Sequence, residues 1–225
     1  MRLCTFNPDT IMANREIHMA NKHLDRVYQA SGNSEMREIY DEWAEQYDDD
    51  VVGNGYLTPK RLAETLARFV AERDTPILDY GCGTGLSGEA LADAGFTAID
   101  GADLSAGMLE RARERNVYRK LQHVDPDKPL DAQLGDYRVF TAVGVISKGA
   151  APSFVYDDLL GLMKPGALLA FSLNDLSLED PDYSRLVPDS VEAGKVKVLS
   201  EEHGPHLAKY GDNSGSTIVV LERLG

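Results

Sequence analysis

The stretch Ile77-Leu78-Asp79-Tyr80-Gly81-Cys82-Gly83-Thr84-Gly85-Leu86 constrains this chain more than any other. Its apolar start has the character of a buried strand, and Pro76 stands where a missing amide donor is tolerated. Glycines on alternate positions then demand a turn with positive φ, in which main-chain amides can approach a ligand closely. Residues 86–94 read as a helix, stopped by Gly95 at its C′ position. Strand, glycine turn and helix in this order predict the ligand-binding corner of a doubly wound α/β fold, at the carboxyl end of its first strand.

The alternation continues along the chain, which argues for a mostly parallel sheet with helices on both faces. Phe96-Thr97-Ala98-Ile99 leads through Gly101 and Ala102 to Asp103, and Ser105 caps a helix whose inner face holds Met108, Leu109 and Ala112. Strands are predicted over 117–124, 137–145 and 167–173, with Gly144 inside the second of these and a helix over 153–163 closed by Lys164-Pro165-Gly166. Asp125-Pro126-Asp127-Lys128-Pro129 reads as a turn. Beyond 176 a short helix within 176–194 precedes strands over 195–200 and 216–224, paired as a hairpin across turn signals at Gly204-Pro205 and 211–215. The expected sheet has seven strands, the last antiparallel.

Residues 1–33 show no sustained period and read as a poorly ordered leader or a short docking helix near 22–29. From Ser34 onwards Met36, Ile39, Tyr40, Trp43, Ala44, Tyr47 and Val51 recur at spacings of three and four, opposite Glu38, Glu42, Glu45 and Asp49. One amphipathic helix with an aromatic stripe is expected. Ile39 and Trp43 suit core packing, while Tyr40 and Tyr47 can cover a ligand with a ring and a hydroxyl. Asp48-Asp49-Asp50 reads as a solvated face or helix end; no metal site is expected, since no histidine or further acid accompanies it at ligand spacing. After the loop Gly53–Tyr56, Thr58 reads as a capping residue with Pro59 at the first helical position, and Leu62, Leu66, Phe69 and Val70 form an apolar stripe. The organisation is thus a leader (1–33), a helical cap and first helix (34–74) and an α/β domain (75–225).

A net charge of −14 over 225 residues sets up a field that repels polyphosphate backbones, so nucleic acid is a poor partner. Cys4 and Cys82 alone cannot build a disulfide framework and fit a reducing compartment. No apolar run long enough to span a bilayer and no signal-peptide pattern occurs, so a cytoplasmic protein without a membrane partner is expected, as a monomer or homodimer.

Asp103 follows Gly85 by eighteen residues, where this architecture places an acid that accepts from both hydroxyls of a ribose. Gly83-Thr84-Gly85-Leu86-Ser87-Gly88 formally satisfies the dinucleotide pattern G-x-G-x-x-G. Its late register and the carboxylate of Asp79 weigh against a pyrophosphate, which that charge repels, and favour a sulfonium or ammonium group, which it attracts.

Ile77-Leu78-Asp79-x-Gly81-Cys82-Gly83-Thr84-Gly85 resembles the first motif of class I S-adenosylmethionine-dependent methyltransferases, and Asp103-Leu104-Ser105-x-x-Met108-Leu109 resembles their second. Tyr40-Asp41-x-Trp43-Ala44-x-x-Tyr47-Asp48 is similar, more narrowly, to the Williams-Beuren syndrome region methyltransferase-like family. The resemblance covers about residues 25–223. It implies a Rossmann-like fold with an N-terminal helical cap and S-adenosylmethionine as cofactor. It also implies that Gly81, Cys82, Gly83 and Gly85 lie against the methionine part, with Asp79 near its ammonium and Tyr40 and Tyr47 over its carboxylate. Asp103 would hold the ribose, Leu104 and Met108 would flank the adenine, and Asp125 would accept from its exocyclic amine. Proline at 126 has no amide to offer the adenine ring. Val143 and Gly144 would pass beneath the sulfonium.

A general base is needed only if the acceptor must lose a proton; His203, His206, Tyr183 and Lys148 are the candidates. Val145-Ile146-Ser147-Lys148-Gly149 stands where many base amino-methylating enzymes carry an Asn-Pro-Pro-Tyr-like segment, which agrees with a small-molecule acceptor. A protein that binds the cofactor or S-adenosylhomocysteine without transfer, and a dinucleotide oxidoreductase, are the alternative readings.

Overall fold

The computed structural model of the chain describes residues 33–125, 128, 137–148, 150–209 and 215–225. The expected leader, Pro126 and most of the turn around it, and the core of the last hairpin's turn lie outside these residues.

The cap comprises α1 (Asn33–Trp43), α2 (Tyr47–Gly53) and α3 (Thr58–Leu66). The domain follows as β1 (Ile77–Tyr80), α4 (Leu86–Asp93), β2 (Ile99–Asp103), α5 (Ala106–Glu114), β3 (Lys120–His123), β4 (Val139–Ala142), α6 (Phe154–Leu162) and β5 (Leu168–Asn174). Three short helices, α7 (Asp175–Leu178), α8 (Pro181–Ser184) and α9 (Leu186–Glu192), precede β6 (Val196–Pro205) and β7 (Gly215–Arg223). The strands form one seven-stranded sheet in the order β3-β2-β1-β4-β5-β7-β6. All pairings are parallel except those of β7, which runs antiparallel to both β5 and β6. The order reverses between β1 and β4, so the glycine turn after β1 opens at the topological switch point where such sheets bind ligands. The expected doubly wound Rossmann-like architecture is therefore the observed one. No helix among the described residues is long and apolar enough to cross a membrane.

Both faces of the sheet are buried, as a parallel sheet requires. Ile77, Ile99 and Val139 pack with Leu62 and Leu66 of α3 and Leu91 of α4 on one face. Leu78, Phe140 and Leu169 pack with Tyr156, Leu159 and Leu160 of α6 on the other. The two-residue period of β1 thus sends Ile77 to one core and Leu78 to the other, and Asp79 follows Ile77 toward the α3/α4 side.

The expected single cap helix is two. Gln46 N–H donates to Trp43 O at 2.9 Å, which breaks the chain at 44–46, and Asp50 N–H to Gln46 O at 3.0 Å restarts it. The break brings the Trp43 ring edge-on to Tyr47 at 4.8 Å and lets its indole N–H donate to Asp50 at 2.7 Å. A buried indole needs such a partner, and a continuous helix would not supply it there. β4 stops at Ala142 rather than 145, because Gly144 takes φ +70°, outside the extended region. β6 runs on to Pro205, which as a sheet-edge strand it can accommodate, so Gly204-Pro205 is not part of the turn. The single short helix expected over 176–194 is three. Helix α3 has Leu57, not Thr58, at its N-cap, and Leu57 makes no side-chain cap; Phe69 and Val70 lie beyond its end.

Leu62 is fully buried, whereas Phe69 is 37% exposed, with the Arg68 guanidinium over its ring. In urea unfolding, Leu62→Ala is expected to cost about 2–5 kcal/mol and Phe69→Ala less than about 1 kcal/mol; equal costs would contradict this placement of the cap against the sheet.

Candidate active site

Asp79 is fully buried at the end of β1, and its carboxylate accepts from three hydroxyls. Ser87 Oγ and Tyr118 OH donate to Oδ2 at 2.6 and 2.8 Å, and Thr141 Oγ1 donates to Oδ1 at 2.8 Å. Burial pushes the carboxyl's pKa up, and the three hydroxyls, which favour the ionised form, oppose the rise. The acid therefore joins β1 to α4, to the segment before β3 and to β4. Its oxygens are taken up inside the protein, so toward a ligand it acts as a negative charge behind the loop rather than as a direct acceptor. Tyr118 also explains the third glycine of the dinucleotide-like pattern. Gly88 N–H donates to its hydroxyl at 3.0 Å, and a Cβ at Gly88 would stand 2.2 Å from the ring.

The glycine turn does not present free amides as expected. Gly81 and Cys82 N–H both donate to Ala102 O, at 2.7 and 3.1 Å, and Gly85 N–H donates to Cys82 O at 2.9 Å. Gly83 N–H donates to Asp103 Oδ2 at 2.8 Å. Those donors are spent within the corner, so this is not an anion cradle of the kind a pyrophosphate needs. What the glycines supply is backbone shape: Gly81, Gly83 and Gly85 all have positive φ. A Cβ at Gly83 would meet nothing within 4 Å, so this residue borders open space that a ligand can fill. The buried Cys82 thiol is pushed well above its usual range by burial and stays protonated, which makes it a packing group.

Asp103 ends β2 twenty residues after Gly83. Its Oδ1 accepts from Ser105 N–H at 2.8 Å and its Oδ2 from Gly83 N–H, and it remains half-buried. A carboxylate has about four acceptor sites, so it can still accept from a ligand hydroxyl. Burial raises the carboxyl's pKa, and the backbone donors of Ser105, Gly83 and Leu104 work against that rise. Ser105 does cap α5, accepting from Met108 N–H at 3.0 Å. Met108 is buried and Leu104 half-buried beside it, while Asp125 beyond β3 pairs with Lys128 at 2.8 Å.

Two acids that sequence reasoning passed over fasten the cap to this corner. Asp41 accepts from the Ser105 hydroxyl and from Gly107 N–H, the latter at 3.2 Å. Asp48 accepts from Thr84 Oγ1 and from Arg115 Nη2, both at 2.5 Å, and Arg115 Nε donates to Thr84 O at 2.6 Å. Asp48 stands at a helix end as expected, in the first turn of α2, and it is also a tether to the loop; its sequence gives no sign of the partner because Arg115 lies just past the end of α5.

Next to Gly144 lies a cavity of about 70 Å³ with walls from Tyr40, Trp43, Tyr47 and Val51 of the cap, with Tyr56, Lys148 and His206 also at its edge. It brings together the cap tyrosines, Gly144, Lys148 and His206 of the expected site residues. His203 instead pairs with Asp175 at 2.8 Å on the surface, and Tyr183 OH donates to Ala151 O at 3.2 Å, so neither lines it. Lys148 also pairs with Asp180 at 3.1 Å. Tyr56 was not singled out from the sequence; its hydroxyl stands 2.8 Å from where a Cβ of Gly144 would be, and burial pushes its pKa well above the ordinary value. His206 sits edge-on to Tyr56 with ring centres 5.2 Å apart. Its Nδ1 shares a 2.7 Å hydrogen bond with Thr58 Oγ1, so the hydroxyl expected to cap α3 serves the cavity's histidine.

His206 has its pKa lowered to about 4, chiefly by burial, with Arg61 adding and Asp175 opposing. The unfolded chain therefore binds more protons between about pH 4 and 6.5, and the stability held by the neutral ring above that window is lost as the pH falls through it. A shift of that size is worth about 3 kcal/mol. Denaturant titrations are expected to show wild type losing this much more stability than His206→Gln between those limits; parallel pH profiles would contradict the neutral, partly buried ring.

Residues 77–166 match the family model described as a methyltransferase domain. Methyltransferase-like protein 27 of Homo sapiens is 32% identical over 153 residues, 65% of this chain and 62% of that protein. The ubiquinone biosynthesis O-methyltransferase of Methylococcus capsulatus is 33% identical over 160 residues, 66% of this chain and 65% of that protein. The chain thus spans somewhat less than two thirds of these relatives. The magnesium protoporphyrin IX methyltransferase of Synechocystis PCC 6803, solved with bound SAM, superposes with a TM-score of 0.55 at 14% identity, covering 99% of this chain and 100% of that one. At that identity the likeness is one of fold. The corner that holds Asp79, the glycine turn and Asp103 lies wholly within the part of the chain that matches the methyltransferase domain.

Proposed function

We propose that this protein is an S-adenosylmethionine-dependent methyltransferase that transfers a methyl group to a small-molecule acceptor. The observation that carries the reading is the chemistry of the corner: the amides of Gly81, Cys82, Gly83 and Gly85 are spent internally, and two carboxylates flank it, Asp79 buried and Asp103 half-buried with room to accept from a ligand. Such a corner repels a pyrophosphate and suits a ligand with a ribose and a positive charge. S-adenosylmethionine has both, and supplies an electrophilic methyl group on its sulfonium.

Asp103 holds the ribose hydroxyls in this reading, and Gly83 gives the cofactor its close approach. Leu104 and Met108 flank the adenine and Asp125 accepts from its amine. Asp79 draws the ammonium by its field, with Gly81, Cys82 and Gly85 shaping the wall, and Tyr40 and Tyr47 close over the methionine end. Val143 and Gly144 form the floor between cofactor and acceptor. The protein's contribution is orientation and exclusion of water, which can supply a large rate factor without covalent catalysis. The small aromatic-walled cavity beside Gly144 and the acidic chain both support a small acceptor over nucleic acid.

Titration calorimetry with S-adenosylhomocysteine is expected to show saturable binding by wild type. Asp103→Ala should weaken it about 100-fold, the equivalent of two charge-assisted hydrogen bonds, and Gly83→Val should block it while the fold survives. Unchanged affinity in both variants would overturn the site. Turnover of labelled S-adenosylmethionine against a panel of phenols, amines and thiols separates a transferase from a protein that only binds. A change in NADH fluorescence on mixing would instead favour the oxidoreductase alternative.

A further inference from the structure

His206, Thr58, Ser216 and Arg61 form a chain of hydrogen bonds that runs from the surface to the cavity. Arg61 Nη1 lies 3.0 Å from Ser216 Oγ, Ser216 Oγ 2.9 Å from Thr58 Oγ1, and Thr58 Oγ1 2.7 Å from His206 Nδ1. Thr58 and Ser216 are fully buried. The direction follows from counting protons. A guanidinium can only donate, so Ser216 Oγ accepts from Arg61, sharing the two Nη1 protons with Pro205 O and Ser216 O at 2.9 and 3.1 Å. If Ser216 then donates to Thr58 and Thr58 to Nδ1, every hydroxyl proton has an acceptor. If Nδ1 carried the proton and donated to Thr58, a hydroxyl proton of Thr58 or Ser216 would be left without an acceptor among the described residues, at a buried site where an unmade hydrogen bond is costly. The chain therefore reads one way, toward the imidazole, and leaves the ring's proton on Nε2.

Nε2 makes no hydrogen bond among the described residues, and His206 lines the cavity. The Tyr56 hydroxyl, close to Gly144, is a second uncharged donor at the same space. Charge on either is disfavoured by burial, and the groups that act on the imidazole, Asp175 and Arg61, pull its protonation in opposite directions. Tyr40, Trp43 and Tyr47 of the cap form an aromatic wall on one side, and Ser147, Lys148, Ser172 and Asn174 supply polar groups on the other.

We propose that His206 is a fixed hydrogen-bond donor to the methyl acceptor, its Nε2–H aimed by the Arg61–Ser216–Thr58 chain, and that the acceptor is a planar ring bearing an oxygen lone pair. This deepens the methyltransferase reading and rests on it for the identity of the ligand. It removes His206 as a general base, since the nitrogen that could take a proton already accepts from Thr58. Two uncharged donors at a phenolic oxygen favour its anion, so the phenol gives its proton to solvent on binding; the phenolate then attacks the sulfonium methyl, the O–CH3 bond forming as the S–CH3 bond breaks and S-adenosylhomocysteine leaves. Arg61, Ser216 and Thr58 are positioning residues that act through the imidazole.

Imidazole nitrogen NMR on the labelled full chain tests the relay, with phenol as the probe and toluene as the control. At pH 7 wild type is expected to show His206 as the neutral Nε2–H tautomer, with or without S-adenosylhomocysteine. Phenol added to the S-adenosylhomocysteine-loaded protein should move the Nε2 signal, and toluene should not. Thr58→Val, or Thr58→Ala if that variant does not fold, should move the Nδ1 signal toward that of an unprotonated nitrogen with no donor, and Thr58→Ser should leave it in place. Phenol affinity should fall about tenfold in His206→Phe and stay within about threefold in His206→Gln, whose amide can still donate. An Nδ1–H tautomer or an imidazolium in wild type, or an Nε2 signal that ignores phenol, overturns the proposal. Failure of wild type to bind S-adenosylhomocysteine in calorimetry overturns the methyltransferase reading instead, and the tautomer observed without ligand still decides the relay.

Discussion

The carboxylate of Asp79, buried among the hydroxyls of Ser87, Tyr118 and Thr141, holds the active corner in shape. A buried charge is tolerated only when its lone pairs are met, and each donor here comes from a different part of the fold. Loss of any one would leave the others holding an under-solvated anion, so the first turn of α4, the approach to β3 and the end of β4 are fixed together. The glycine turn inherits its geometry from that clamp, and Gly88 is small so that Tyr118 can reach the acid.

A similar economy governs the rest of the site. Loop amides that might have bound a phosphate are turned onto Ala102 O and Asp103, which leaves shape and negative charge as the corner's properties. Asp41 and Asp48 then bind the cap to the same two loops, through Ser105 and Gly107 on one side and Thr84 and Arg115 on the other. The aromatic wall of the cavity beside Gly144 is thus anchored to the loops of the glycine corner and of Asp103, and the order of one supports the order of the other.

The strand, glycine turn and helix, and Asp103 at the end of β2, were legible because each is written in contiguous residues whose period and turn chemistry allow few alternatives. The mostly parallel sheet followed from the alternation of elements, and the antiparallel last strand from the turn signals of the final hairpin, whereas the strand order is fixed only in the fold. What escaped is nonlocal. Thr58 carries every local sign of a helix cap, yet its hydroxyl meets His206 and Ser216, 148 and 158 residues away. Tyr56 sits in a loop without pattern and gains its place only when the bridge between Tyr56 and Leu207 brings the last hairpin onto the cap. The split of the cap helix depends on the indole of Trp43 finding Asp50, a preference that the apolar period does not register. Among the four candidates for a base, spacing could not tell His206 at the cavity from His203 on the surface, three residues earlier on the same hairpin.

The central claim is that Asp79, the spent glycine turn and Asp103 together select a cationic nucleoside, and that the acceptor meets it beside Gly144. A crystal structure of the protein with S-adenosylhomocysteine bound tests this most directly. The account predicts both ribose hydroxyls on the Asp103 carboxylate and the sulfur facing the cavity lined by Tyr56 and His206. A ribose held elsewhere, or a sulfur turned away from that cavity, would contradict it.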